Sequence, residues 1–591
     1  MDLRCQMLVT VTVMLVVARA AASEMADMSP ALVLLKQGSI LGSRVETNNG
    51  FVYYTFNTIP YARPPVGPLR FQEPKPAPAW SGIRDGSLPF PKCPQTTVFK
   101  LKNYSVHGQE DCLYLNVFTP RPYRSNLPVM VFIHGGAMVA GSALGPIPPM
   151  LPVPLLEKDV VVVAMNYRVG ALGFISTGDS VLPGNLGLKD QTLALHWVQD
   201  NIGNLGGDPK KITVFGGSAG GFSCHAHVLS PSSAGLFQRA ILQSGTALFS
   251  GHFGLARKGA IAIGKALNCK GEDSHQLLAC FKATPVEDLV EAQSILSEWF
   301  DIPLTVGAQV DGNYLTDFPA ALLKSGRYNN VDVMVGWTKD DGDLITAGLF
   351  SKKGEAALKE LNENFQKVGP VILGLAEEKN SVYLARRVFY NYMSNLNITL
   401  DVEPALTNLV LDYGYEIPAV RSAEFHAENP HSKTFAYRLD HSLEKSLFAF
   451  MTNTYIQRKT VGHGDENRYL FNTPPPLGPL THPQDLHVRD IMTTLWTNFA
   501  RTGNPTVNGT LGFRWAPVTP SQPVRFLSIT TNPTMQSVDE RKRDFWNSLP
   551  VKDSKLLYPE RFLPHTDTSD SSSAQTLNST SFIAMEAYCV N

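Results

Sequence analysis

Two glycine-rich segments carry the residue types that acyl-transfer chemistry needs. The first is Gly216-Gly217-Ser218-Ala219-Gly220, directly after the strand-like run Lys211–Phe215 and before a helix-compatible stretch. A G-x-S-x-G turn between strand and helix is a nucleophile elbow, which lifts the serine hydroxyl to the end of a sheet. Glycines on either side let strand and helix approach closely, and the positive end of the helix dipole then lies beside the hydroxyl. A phosphate loop would need a lysine after its last glycine, and none follows. The second segment is His134-Gly135-Gly136-Ala137, at the end of the run Val129–Ile133 and 84 residues upstream of Ser218. Acyl transfer creates an oxyanion that preorganised backbone N–H groups must meet. The amides of Gly136 and Ala137, with that of Ala219, are the expected donors. His134 itself is read as holding the loop rather than as a base.

Both loops need a rigid frame. The short runs Leu113–Phe118, Val129–His134, Val160–Asn166, Lys211–Phe215, Ala240–Ser244 and Val331–Trp337 read as strands buried on both faces. Between them, Leu188–Ile202 has helical character, with Pro209 marking its end. Strand, helix and strand in repeated order predict an α/β fold around a largely parallel sheet. A length of 591 residues suggests about four domains at roughly 150 residues each. No repeat or long linker divides the chain, so one catalytic body over residues 23–563 is the simpler expectation.

Composition narrows the function classes. Hydrophobic residues are 43% and charged residues 17% of the chain, which supports a globular protein with an ample core. The net charge of −1 gives no electrostatic footprint for nucleic acid or for an acidic membrane surface. Arg4, the apolar run Met7–Val17 and the small residues Ala18, Ala20, Ala21, Ala22 and Ser23 read as an export signal over residues 1–22. That run is too short to span a bilayer, for which about 20 residues are needed. A secreted protein without membrane insertion is therefore expected.

Export makes the cysteines informative. Cys93 and Cys112 are close in sequence, as are Cys269 and Cys280, and an oxidising compartment favours bridging each pair. Cys224 lies among small and apolar residues and is expected to be a buried free thiol. Glycosylation sequons begin at Asn103, Asn397, Asn508 and Asn578. Residues 564–591 form a Ser/Thr-rich tail, read as solvated.

With these elements in place, the chain resembles the type-B carboxylesterases, in the cholinesterase and carboxylesterase branch of the α/β-hydrolase fold. Further matching blocks are Ile59-Pro60-Tyr61-Ala62, Glu110-Asp111-Cys112-Leu113-Tyr114-Leu115-Asn116-Val117, Asn166-Tyr167-Arg168 and Gly184-Asn185-Leu186-Gly187. Gln243-Ser244-Gly245, His463-Gly464-Asp465-Glu466 and Trp496-Thr497-Asn498-Phe499 continue the series. The likeness runs from about residue 30 to 548, with a general similarity to arthropod juvenile-hormone-esterase-like members.

The resemblance implies a serine, acid, histidine triad in that chain order. It places the base at His463, so activity is expected to fall at acid pH as that imidazole takes up a proton. The acid position departs from the family, which usually has Glu before Gly. Here the segment is Gly336-Trp337-Thr338-Lys339-Asp340-Asp341-Gly342, and Asp341 takes the glutamate position, with Asp340 and Asp343 as alternatives. His225 and His227 lie two apart on an expected helix and so do not share a face. No metal and no cofactor is expected.

Two further departures bear on substrate. Gly217 stands where many relatives carry Glu, and the Cys93–Cys112 segment lacks the Trp that cholinesterases stack on choline. Both point to neutral or apolar esters as the small-molecule partner, whether xenobiotic, lipid or isoprenoid. Trp299 and Phe300 lie where relatives place acyl-pocket aromatics. The rival reading is a non-catalytic adhesion or binding protein of the same fold, which such members reach by losing a triad position. Ser218 and His463 are both present here.

Overall fold

A computed structural model describes residues 30–563 apart from 90, 97–104, 124, 145–149, 250, 252, 301–305, 453–458 and 510. The expected signal, the Ser/Thr-rich tail, and the sequons at Asn103 and Asn578 lie outside the described residues.

The apolar runs become the middle of one eleven-stranded sheet. Its strands in chain order are β1 (Ser43–Glu46), β2 (Val52–Pro60), β3 (Tyr114–Thr119), β4 (Leu127–Ile133), β5 (Val161–Met165) and β6 (Gly207–Gly217). They continue with β7 (Arg239–Gln243), β8 (Asp332–Thr338), β9 (Thr434–Leu439), β10 (Arg525–Ile529) and β11 (Thr534–Ser537). Spatial order is β11-β10-β9-β8-β7-β6-β4-β5-β3-β2-β1. Every pairing from β5 across to β10 is parallel, and the outer pairings are antiparallel.

Strand periodicity explains how the central strands bury both faces. In β4, Val129, Val131 and Ile133 enter one apolar cluster, while Met130 and Phe132 enter the other. Side chains two apart share a face, so an uninterrupted apolar run fills two layers at once. The helices Leu186–Asn201 and Ala219–Leu229 cover the first face, and Pro483–Thr502 covers the second. A third cluster holds a helical layer together, with Phe365, Val388, Phe389, Leu406, Ile417 and Trp546 among its members.

One boundary differs from expectation. The helix after β5 ends at Asn201, a 3-10 turn covers Ile202–Leu205, and Gly206 takes φ 89°. That left-handed glycine stops the helix, since residues with a Cβ adopt the conformation at a cost. Pro209 therefore lies already inside β6 rather than at the helix end.

Sheet order decides where chemistry can occur. From β4 the chain crosses to β5 on one side, then returns to place β6 on the other side of β4. At such a reversal the loops leaving the carboxyl ends of neighbouring strands diverge and leave a crevice. Here those ends carry His134-Gly135-Gly136 and Ser218.

Candidate active site

Ser218 occupies the turn between β6 and the helix Ala219–Leu229 at φ 59° and ψ −127°. That backbone conformation is strained for a residue with a Cβ, and such strain persists only where surrounding contacts over-determine it. They do so here. The Ser218 amide donates to Gln243 O at 2.8 Å, and Ser218 O accepts from Phe222 N at 3.0 Å. A Cβ on Gly220 would stand 2.1 Å from Ile133 O, so the helix start and β4 meet only because that side chain is absent. Ser218 keeps partial exposure while its neighbours Ala219 and Gly220 are buried.

The second glycine loop abuts the elbow. A Cβ on Gly135 would lie 2.6 Å from Gly217 O and 3.1 Å from the Ser218 Cβ. Beyond it the chain takes positive φ at Gly136, Ala137 and Met138. Among the described residues, the amides of Gly136, Ala137 and Ala219 donate to no backbone carbonyl. His134 holds this loop, as its sequence setting suggested. Its Nδ1 donates to Gly135 O at 2.8 Å, its ring stacks on Tyr167 at 4.2 Å, and its own carbonyl accepts from the Tyr167 hydroxyl. Burial pulls its pKa down to about 4, so the imidazole stays neutral.

Of the three candidate aspartates, Asp341 meets the histidine. Its Oδ1 accepts from His463 Nδ1 at 2.8 Å, and its Oδ2 accepts from Thr338 N at 2.8 Å. Asp341 is fully buried and His463 is 6% exposed. The geometry fixes the Nδ1–H tautomer, which leaves Nε2 as the acceptor; that atom is buried with no hydrogen-bond partner among the described residues. Asp340 has a different task, accepting from Val461 N at 2.9 Å while its own amide donates to Val461 O. Asp343 begins the helix Asp343–Leu349. The Tyr415 ring lies 5.0 Å from that of His463 and is carried there by a π-helical turn, Asp412–Glu416.

Glu466 sits three residues past the histidine, wholly buried, and accepts from Ser244 Oγ at 3.1 Å. Desolvation and then the nearby Asp341 charge push its pKa up to about 8. Asp465, beside it, accepts from Gly462 N, Leu447 N and Ser446 Oγ, and burial raises its pKa to about 6. Neither had been given a role from sequence. Their only signal in the sequence is the acidic pair two and three residues after His463.

Other expected residues fall as follows. Both disulfides form, Cys93–Cys112 and Cys269–Cys280, and Cys224 is a buried free thiol. Asn397 is exposed. Asn508 lies in the short 3-10 turn Val507–Gly509. Trp299 is buried in the helical layer, where its indole N–H donates to Ala357 O at 3.0 Å, and Phe300 rests on Gly348. No described contact joins either ring to Ser218, Asp341 or His463. His225 bonds His426 and the Ala247 amide, and His227 bonds Gln191 and shares Ser233 and Tyr314. No group of three potential metal ligands occurs among the described residues. No helix among them is long and apolar enough to cross a membrane.

Comparison with known proteins agrees with this frame. Residues 29–546 match the carboxylesterase family. Venom carboxylesterase-6 of Apis mellifera is 31% identical over 543 residues, covering 88% of this chain and 94% of the relative. Juvenile hormone esterase of Tribolium castaneum is 34% identical over 498 residues, covering 80% and 84%. The cholinesterase of Mus musculus is 34% identical over 523 residues, covering 85% and 83%. Sheet order, elbow and whole-length similarity together make this chain a member of the carboxylesterase family, a carboxylic-ester hydrolase built on the α/β-hydrolase fold.

Proposed function

We propose that the protein is a secreted serine esterase that cleaves neutral or apolar carboxylic esters through an acyl-enzyme on Ser218. The observation that carries this reading is the 2.8 Å hydrogen bond from His463 Nδ1 to Asp341, which turns Nε2 into the proton acceptor. Ser218 Oγ attacks the ester carbonyl carbon as His463 Nε2 takes its proton, and buried Asp341 stabilises the imidazolium. The amides of Gly136, Ala137 and Ala219 receive the oxyanion. Collapse of the tetrahedral intermediate breaks the carbon–oxygen bond to the alcohol, which leaves with the proton from His463. Water then attacks the acyl group, gives its proton to His463, and Ser218 is released as the acid departs.

The residues around the elbow support a neutral substrate. Gly217 adds no charge beside the serine, and burial favours the protonated, neutral form of Glu466. Export is supported by the apolar N-terminal run and by two disulfides, which persist in oxidising compartments. An isoprenoid methyl ester is one candidate, by similarity to the beetle juvenile hormone esterase; xenobiotic and lipid esters are the others.

Reaction with an organophosphate ester followed by peptide mass spectrometry tests the nucleophile. An adduct on Ser218, and loss of p-nitrophenyl ester hydrolysis in Ser218→Ala, are expected. Hydrolysis undiminished in that variant would overturn the reading. A panel of esters varied in acyl chain and alcohol then identifies the preferred class.

A further inference from the structure

Most glycines of the elbow are imposed by packing. A Cβ would lie 2.2 Å from Ile133 O at Gly216, 2.1 Å from Ile133 O at Gly220, and 2.1 Å from Ser218 O at Gly245. Gly217 is different. Its φ is not positive, and a Cβ there would find nothing nearer than 3.8 Å, where it meets Asn467 Nδ2 and Gln243 O. Neither backbone nor packing demands a glycine, yet the space beside the nucleophile is kept open.

The Asn467 amide borders that space. Its Nδ2 is 3.8 Å from the Cβ position of Gly217 and 3.7 Å from that of Gly464. Those glycines are the chain neighbours of Ser218 and His463, so the amide borders both segments that carry the reacting residues. Its Oδ1 is buried with no hydrogen-bond partner among the described residues. Leaving such a group unpaired is unfavourable, and a polar ligand reaching that oxygen would relieve it. The neighbouring carboxylates do not serve, because Glu466 is engaged by Ser244 and Asp465 by three main-chain amides and Ser446.

We propose that Asn467 holds the water that attacks the acyl-enzyme, in the space left open by Gly217. The inference rests on the acyl-enzyme reading above. Esters bring their own alcohol as leaving group in the first half-reaction. The second half-reaction must instead recruit a water next to His463 Nε2. An amide can both donate to and accept from a water, and Gln243 O offers a third hydrogen-bonding position, within the two to four partners an ordered water needs. The water adds its oxygen to the acyl carbon, its proton passes to His463, and the Ser218–acyl bond breaks as Ser218 recovers that proton.

Pre-steady-state hydrolysis of p-nitrophenyl acetate by the full enzyme separates the two half-reactions. The burst reports acylation of Ser218 and the steady rate reports deacylation. In Asn467→Leu, kcat is expected to fall about 10- to 100-fold with kcat/KM within about threefold of wild type, as loss of one oriented partner of a reacting group predicts. The acyl-enzyme then accumulates and is seen intact by mass spectrometry. Asn467→Ser, which keeps a donor and an acceptor, restores much of the steady rate. Gly217→Ala fills the same space with ordinary contacts, so it folds and slows deacylation likewise. A parallel fall in kcat and kcat/KM would mean that the amide contacts the ester instead, and it overturns the proposal, as does an unchanged steady rate. Absence of any Ser218 adduct in the wild type overturns the acyl-enzyme reading itself, and absence of a burst, which would place the slow step before deacylation, overturns the deacylation proposal.

Discussion

Asp340 and Val461 clasp each other in both directions: the Asp340 amide donates to Val461 O at 3.1 Å, and the Asp340 carboxylate accepts from Val461 N at 2.9 Å. This clamp pins the segment carrying His463 to the end of β8, and the next residue, Asp341, then reaches the imidazole. Adjacent aspartates thus divide two tasks, one holding the loop through Val461 and one bonding the His463 ring.

Substitution should separate these tasks. Asp341→Asn is expected to lower kcat by about 10⁴-fold, since an amide cannot stabilise the imidazolium and favours the wrong tautomer. Asp340→Ala should instead cost about 1–3 kcal/mol of stability through an unpaired main-chain amide. Its kcat, measured well below the melting temperature, should fall far less. Melting curves and ester kinetics on both variants check this, and a reversed pattern would exchange the two roles.

The elbow makes a steric forecast. Gly220→Ala brings a Cβ within 2.1 Å of Ile133 O, against backbone that cannot yield cheaply. Overpacking of this kind costs about 1–3 kcal/mol or more. Poor expression or a clearly lowered melting temperature is expected, whereas Gly217→Ala should retain wild-type stability. Thermal denaturation of the pair tests the contrast.

Buried carboxyl groups set a pH dependence of stability. The Glu466 pKa rises from 4.5 to about 8. A raised folded-state pKa means the folded protein holds a proton that the unfolded chain releases, so stability is lost as pH climbs through this window. The steepest contribution is about 1.4 kcal/mol per pH unit. Asp465, raised to about 6, acts the same way over the lower part of that range. Glu466→Gln, a neutral mimic of the protonated acid, should flatten the decline between about pH 5 and 8 in denaturant titrations. An unchanged slope would place Glu466 in its ionised form at neutral pH.

A charge network steadies the turn behind the histidine. Lys542 Nζ lies 2.9 Å from Asp412 Oδ1 and 3.2 Å from Glu416 Oε1, the two ends of the π-helical turn that presents Tyr415. Tyr392 donates to the other Asp412 oxygen and accepts from the Trp546 indole. Desolvation chiefly, with the Glu416 charge, raises Asp412 to about 7. Lys542→Met removes the cation from two buried acids and should cost about 3 kcal/mol. The loss should be larger at pH 8 than at pH 6, because protonation of Asp412 relieves it in acid. Chemical denaturation at both pH values measures the difference.

Local pattern made the central strands, the elbow and the glycine loop legible in the sequence. Each depends on residues within about ten positions: a double-faced apolar run, a strand-to-helix turn, glycines where backbones meet. Family resemblance added His463 and the neighbourhood of the acid. The strands Thr434–Leu439 and Arg525–Ile529 are not legible as apolar runs, because each is interrupted by polar or charged residues such as Arg438 and Ser528.

Tertiary structure alone decided the rest. Asp341 and His463 are separated by 122 residues, and what brings them within a hydrogen bond is strand order, a long-range property that no local pattern encodes. The choice of Asp341 over Asp340 turned on which carboxylate faces the histidine and which faces Val461. Trp299, an expected pocket aromatic, entered the core of the helical layer, since burial of a large ring needs a cavity that only packed helices supply. Asn467 carried no signal at all in the sequence. Its meaning comes from an open space beside Gly217 and an amide oxygen left without a partner, which exist only once the chain is folded.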